Sequence, residues 1–271
     1  MRWSAISIAV GLGFSLVILA IRDAGSALLY LTAYLLEQSL SVDNLFVFVI
    51  IFETLAIPAA YQQRVLFWGV LGALVTRGVM IAAGVTLFAH FQWVIYPFGA
   101  LILLGAARLI WGQRREREIA VKSCEVCGGW VARIIPVTPV LRGGRFWIRS
   151  SGRLVATPLF VALVVVETTD LIFALDSVPA VLSVTRDPLL VYSSNVLALL
   201  GMRSLYFVIA GAAARFDRLR FGLAAILVFA GVKLLISGVV DVPTPLYLAV
   251  IIVALLLSVV ASRRPWRASP R

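Results

Sequence analysis

Apolar runs of roughly 20 residues recur along the whole chain, and each is long enough to cross a hydrocarbon layer about 30 Å thick as a helix. The 271 residues are 62% hydrophobic and 14% charged, with a mean hydropathy of +1.02. A typical globular domain is nearer half apolar and about a quarter charged. One water-facing core could not hide this much apolar surface. Disorder and a coiled coil are excluded, and with only Cys124 and Cys127 present so is a disulfide scaffold. The expected fold is all-α, a polytopic membrane protein.

The apolar runs mark eight spans, near Ser4 to Ile21, Leu29 to Phe52, Val65 to Ala89, Trp93 to Gly112, Ala156 to Val184, Leu190 to Ala212, Arg220 to Val239 and Pro245 to Ala261. The first reads as a retained span rather than a cleaved leader, because no small-residue cleavage site precedes Arg22 and Asp23. The formal net charge of +11 would suggest nucleic acid in a soluble domain. Here its distribution speaks instead for topology. Eighteen of the 24 Lys and Arg residues fall on one side of the eight-span arrangement, nine of them between Arg114 and Arg153; the other side holds only Arg22 and Arg186. The positive-inside rule then places both termini in the cytoplasm. No nucleic-acid partner is expected.

Two segments of the chain resemble one another. Glu37-Gln-Ser-Leu-Ser-Val-Asp43-Asn44 and Asp170-Leu-Ile-Phe-Ala-Leu-Asp176-Ser177 each read as an acid, five residues, then Asp followed by Asn or Ser. The helix after each carries one mid-span arginine, Arg77 and Arg203, and the third pairs Gly105 with Gly231 and Arg108 with Lys233. Three spans per copy is an odd number, so the copies insert in opposite senses, as in many secondary transporters whose site lies at the repeat interface. The chain thus divides into a first repeat over about 29–112, a basic cytoplasmic connection over about 113–155 and a second repeat over about 156–239 of a single membrane domain.

Five acids lie inside the predicted spans: Glu37, Asp43, Glu167, Asp170 and Asp176. A carboxylate at mid-bilayer costs about 2.5–3.5 kcal/mol on insertion scales, so five oppose insertion by on the order of 12–18 kcal/mol unless they face a protected interior. Glu37, Ser41 and Asn44 share one helix face, Asp170 and Ser177 repeat that relation, and Glu167 lies one turn before Asp170. Asp43 and Asp176 fall about 120° off that stripe. They reach a common cavity either from an adjoining wall or through local unwinding, for which Pro179 supplies a reason in the second copy. Carboxylate, amide, hydroxyl and carbonyl oxygens suit Mn²⁺, Mg²⁺ or Ca²⁺, and no His or Cys lies near the stripe to favour zinc or copper. Arg77 and Arg203 are expected to pair with the acids, and the bland alternative is that the charges only join the two copies. Five acids against two central cations leave charge for a divalent ion and a proton, with protons as counter-ion.

The stretches EQSLSVDNLFVFVIIF from Glu37, VLFWGVLGALVTRG, TPLFVALVVVETTDLIFALDSVPAVLSVT and SNVLALLGMRSLYF resemble the TerC family, in particular its Alx-like branch, from about Ile21 to Ser262. The resemblance implies an inner-membrane protein of the wider LysE-like transporter group, linked to tellurite resistance, alkaline-pH response and Mn²⁺ export. Carried onto this chain, the family's acidic motif falls on Glu37, Asp43 and Asn44, then Glu167, Asp170 and Asp176. Relatives commonly carry a further helix ahead of the first span, and the CxxC in the long connection is not recognised as a family feature.

The expected activity is efflux of a hard divalent cation, Mn²⁺ first, with Asp43, Asp170 and Asp176 as direct ligands, Glu37, Glu167 and Asn44 completing or gating the site, and Arg77, Arg203 and Ser177 pairing charge or gating. No permanently bound cofactor and no enzyme activity is expected. Two other readings stay open: a membrane scaffold in tellurite or metal stress, and a carrier of another small cargo such as an oxyanion. Cys124 and Cys127 supply at most half a zinc site or a dithiol. His90 reads as an interfacial belt residue, Arg108 and Lys233 as snorkelling cations, and Gly69, Gly72, Gly99, Gly105, Gly201 and Gly231 as sites of close helix approach.

Overall fold

The computed structural model describes residues 2–111, 113–141, 143–150, 153–210, 219–237 and 242–263. Helices dominate: α1 (Arg2–Ile21), α2 (Ala24–Thr54), α3 (Ala59–His90), a 3-10 turn at Gln92–Val94, α4 (Ile95–Trp111), α5 (Gln113–Ile134), α6 (Pro158–Leu182), α7 (Pro188–Ala210), α8 (Leu219–Ile236) and α9 (Thr244–Arg263). Strands β1 (Trp147–Ser150) and β2 (Arg153–Ala156) form an antiparallel hairpin. Each of the eight apolar runs coincides with a helix. Stretches of α1, α2, α3 and α6 are long and apolar enough to cross a membrane, and α4, α8 and α9 carry shorter apolar stretches. The chain is a helical membrane protein.

The sequence marks the helix ends chemically. Asp23 caps α2, its Oδ1 accepting from the Ser26 amide at 2.8 Å. Pro158 and Pro188 open α6 and α7 at the first helical position, where a missing amide costs nothing. Asp187 caps α7 by accepting from the amides of Leu189 and Leu190.

Two expectations change. The connection over 113–155 is not open loop. It contains α5, whose polar composition carries no spanning signal but whose face with Cys124 and Val131 is buried against α2 and α6, and it contains the hairpin. Pro179 does not unwind α6, which runs on as one helix from Pro158 to Leu182. Among the basic residues used for sidedness, Arg142, Arg215, Arg218, Arg264, Arg267 and Arg271 lie outside the described residues, as do Gly112, Ala212 and Val239 at the predicted span ends.

The most extensive packing joins α2 to α7, α3 to α6 and α4 to α8. At the last of these, a β-carbon on Gly99 would fall 2.6 Å from Leu235, and one on Gly231 2.9 Å from Leu103, so the two glycines let the backbones approach. Two apolar clusters flank the polar layer. One joins Leu36, Ile102, Ala174, Val178 and Leu227; the other joins Phe48, Leu66, Val70, Val165 and Met202.

The connections gather at two ends. At one, the Arg22 guanidinium pairs with Asp187, and Arg186 lies 4.8 Å over the Phe88 ring near the end of α3. At the other, Arg64 near the start of α3 lies 5.7 Å from the Phe146 ring beside the hairpin. The Ser26 amide and hydroxyl hold the Asp23 carboxyl below its ordinary value. Burial alone would raise Asp187, but Arg22 and the α7 amides outweigh it and hold that carboxyl low as well. A carboxyl with a depressed folded-state pKa stabilises above its unfolded value and loses that contribution as pH falls. Asp187→Ala, removing a cap and an exposed ion pair, is therefore expected to cost about 1–2 kcal/mol near neutral pH. The difference from the parent should shrink as the pH falls into and below the ordinary carboxylate range and both states protonate, which thermal unfolding in detergent across a series from neutral to acid pH would check.

Candidate functional site

The polar layer is built around Arg77 in the middle of α3, only 1% exposed. Its Nη1 donates to Glu37 Oε2 on α2 at 2.8 Å, while Nε and Nη2 fork onto Asp170 Oδ2 and Oδ1 on α6 at 3.2 and 3.1 Å. The other Glu37 oxygen accepts from Asn195 Nδ2 on α7 at 2.8 Å. With its amide turned so that the oxygen faces the guanidinium, Asn44 accepts from Arg77 Nη2 and donates to the Leu40 carbonyl, both at 3.3 Å. One arginine thus ties α2, α3 and α6 together, and α7 joins through Asn195. With both carboxylates ionised the trio carries one net negative charge.

Beside it lies a cleft of about 740 Å³, its open mouth included. Asp43 and Asn44 of α2, Thr169, Asp176 and Ser177 of α6, and Arg108 of α4 line it, among Leu40, Val47, Phe173 and Leu227. Asp176 lies against Gly105, where a β-carbon would come 2.5 Å from its Oδ2. The glycine makes room for the carboxylate between α4 and α6. The Ser177 hydroxyl is buried with no partner among the described residues, as is that of Ser41.

The predicted site residues therefore divide. Asp43, Asn44, Asp176 and Ser177 share the cleft. Glu37 and Asp170 lie outside that lining and face Arg77, each carboxylate oxygen accepting one hydrogen bond. Glu167 packs on the opposite side of α6 against α3, where a β-carbon at Gly72 would collide with its carboxylate. The pairing expected of Arg203 does not occur: it is exposed, its guanidinium 5.5 Å from the Phe67 ring. It lines a smaller groove of about 280 Å³ together with Asp170, Gly69 and Met202. Among the described residues no three His, Cys, Asp or Glu side chains converge to hold a metal ion. The six proposed ligands do not form one cage.

Of the smaller signals, Lys233 does not snorkel. Its Nζ donates to the Ser183 carbonyl at the end of α6 at 2.8 Å and lies 4.5 Å over the Tyr247 ring. Arg108 reaches the cleft rather than only the span end. His90 is exposed, as a belt residue would be. Cys124 is buried in α5, and burial pushes its thiol up to about 11, with Cys127 beside it adding to the shift. A neutral thiol at that value is a poor nucleophile. Sequence reasoning missed Asn195 and Thr169; the signal for Asn195 was a lone amide in an apolar span eight residues before Arg203.

The model of the integral membrane protein TerC family matches residues 22–269. The membrane protein STKORF319 of Myxococcus xanthus is 44% identical over 271 residues, covering 99% of this chain and 83% of that protein. Alx of Escherichia coli K12, named as a candidate membrane-bound redox modulator, is 43% identical over 83% of this chain and 69% of its own length. A membrane protein of Rickettsia bellii is 36% identical over 86% of this chain and 76% of its own. No solved structure matches the chain.

Removing one partner from a buried ion set leaves uncompensated charge at a cost of about 3–5 kcal/mol, whereas replacing the whole set by neutral groups is often near neutral. Arg77→Leu is expected to lose stability on that scale in detergent-solubilised protein. Adding Glu37→Gln and Asp170→Asn to the same chain should recover most of the loss. Unchanged unfolding of Arg77→Leu alone would remove the trio from its structural role.

Proposed function

The chain belongs to the TerC family of integral membrane proteins, and from that footing we propose that it is a secondary transporter exporting a hard divalent cation, Mn²⁺ first, from the cytoplasm in exchange for protons. The observation that carries the reading is the pairing in one cleft of Asp43 and Asp176, which hold equivalent places in the two acidic motifs, with the amide of Asn44 and the hydroxyls of Thr169 and Ser177. Two carboxylates and neutral oxygens are hard donors. The partnerless Ser177 hydroxyl is a group that such an ion or its water would satisfy.

Two inverted three-helix repeats, α2–α4 and α6–α8, are part of this proposal, as are eight crossings and cytoplasmic termini. Exchanging the copies turns the α2–α7 packing into the α3–α6 packing and leaves α4–α8 and α2–α6 unchanged, which is the pattern a pseudo-two-fold axis demands. The grouping of connections at two ends agrees with the sidedness read from the basic residues. In this scheme the Arg77 trio stands beside the ion path as a fixed internal cation. It occupies Glu37 and Asp170, while Asp43 and Asp176 line the neighbouring cleft.

Arg108 in the cleft supports a second reading, an oxyanion such as tellurite held by a guanidinium with amide and hydroxyl donors. The redox role in the name of several relatives has its candidate here in Cys124 and Cys127, but a buried thiol with a raised pKa gives it little support.

Reconstituted protein with an internal Mn²⁺ indicator and an imposed pH gradient decides between these. Asp43→Asn and Asp176→Asn are each expected to lower Mn²⁺ flux by about tenfold or more, equivalent to ~1.4 kcal/mol of cation stabilisation, while Arg203→Gln is largely spared. Normal flux in both aspartate variants would overturn the assignment, and tellurite flux that depends on Arg108 would establish the second reading.

A further inference from the structure

The connection between α4 and α6 carries a surface that the transport reading does not use. On α5, Cys124, Cys127, Gly128 and Val131 face the bundle, and a β-carbon at Gly128 would lie 3.6 Å from Val161 in the first turns of α6. At 100° per residue, Lys122, Val126 and Arg133 fall on the opposite face, and Val126, Trp130 and Ile134 form a stripe that runs from it round one flank. Val126, Trp130 and Ile134 are 64%, 66% and 66% exposed, and Lys122 and Arg133 are exposed beside them. The helix is therefore apolar on both sides, and on the outer side the apolar residues alternate with cations.

The hairpin continues this character. Leu154 pairs across the strands with Arg149, and Trp147, two residues before Arg149, points to the same face. All three are exposed, and the Trp147 ring lies 4.3 Å from that of Phe160 near the start of α6. Between Gln113 and Ala156 the sequence holds nine basic residues and three acidic ones.

We infer that the outer face of α5, with the adjoining hairpin face, lies in the headgroup layer of the membrane and binds anionic phospholipid. The depth follows from the packing. A helix held against the first turns of a spanning helix sits where hydrocarbon meets water, the level at which tryptophan concentrates. The composition selects the lipid charge. An apolar stripe interleaved with Lys and Arg matches acyl chains below and phosphates above, and each basic residue near an anionic surface contributes about 1 kcal/mol. A soluble protein partner or a second copy of this chain would have no need of that alternation. The inference holds whether or not the cleft carries a metal.

The test uses the full chain with Cys124→Ser and Cys127→Ser, checked for monodispersity, and a single spin-labelled cysteine in turn at positions 126, 130, 134 and 125. It is reconstituted in vesicles of phosphatidylcholine alone or mixed with phosphatidylglycerol. In the mixed vesicles, labels at 126, 130 and 134 should be more accessible to dissolved oxygen than to a water-soluble nickel chelate, and the label at 125, at the edge of the face, should show the reverse. Neutralising Lys122, Arg133 and Arg149 to Gln together should abolish the difference between the two vesicle types. Labels at 126, 130 and 134 reached equally by the chelate in both vesicles would overturn the inference, as would spin–spin coupling between copies at position 130. As a second measure that needs no cysteine, lipid brominated in its acyl chains should quench the fluorescence that Trp130→Phe removes. Absence of that quenching would also overturn it.

Discussion

The arrangement of this bundle depends on one guanidinium. Arg77 is buried at mid-helix in a region where an isolated charge is strongly disfavoured, and it is tolerated because Glu37 and Asp170 meet it with three hydrogen bonds. The demand is mutual, since each carboxyl also needs a hydrogen-bonding partner in that apolar surrounding. That mutual dependence sets the rotation of α2, α3 and α6 about their axes, because each must aim one side chain at the same point. Asn195 adds α7 through the remaining Glu37 oxygen.

Once those rotations are set, helix geometry places the rest. Asp176 follows Asp170 by six residues, and Asp43 follows Glu37 by six, which turns each about 120° from its predecessor. If the earlier acids face Arg77, the later ones must face a different wall, and both later ones face the cleft beside α4. Gly105 allows that wall to come close without displacing Asp176, and Gly72 does the same for Glu167 on the other side of α6. The acids therefore serve two purposes that a single metal cage would have merged. One pair holds the helices, and the other pair lines a space that a cation could enter.

The two halves of the chain are not used alike. Glu37 and Asp170, equivalent in the two motifs, both bind Arg77, while the equivalent arginine, Arg203, lies against an aromatic ring and lines the smaller groove with Asp170. A single cation meets both of these acids, and the second arginine rests against an aromatic ring instead. Beside the spanning helices, α5 and the hairpin contribute apolar and basic surface next to the first turns of α6. Helix α5 packs there at Gly128 and through buried Cys124 and Val131, and the hairpin through the Trp147 ring on Phe160.

Much of this was legible from residues alone. Eight apolar runs each became a helix because lipid leaves the backbone few other ways to satisfy its own hydrogen bonds. The family was legible in the two acidic motifs, and the shared stripe of Glu37, Ser41 and Asn44 follows from helical periodicity. The helix α5 was not legible as a packed element, since a helix of polar composition lacks the long apolar run that marks a span. Sequence could state that five acids and two arginines had to find partners inside the bundle, because carboxylates and guanidinium groups are costly in hydrocarbon wherever they occur. Which acid met which arginine was a question of distance and helix rotation between segments far apart in the chain. Only tertiary packing, by turning Arg77 inward and leaving Arg203 outside, decided that Glu37 and Asp170 bind the helices together while Asp43 and Asp176 face the open cleft.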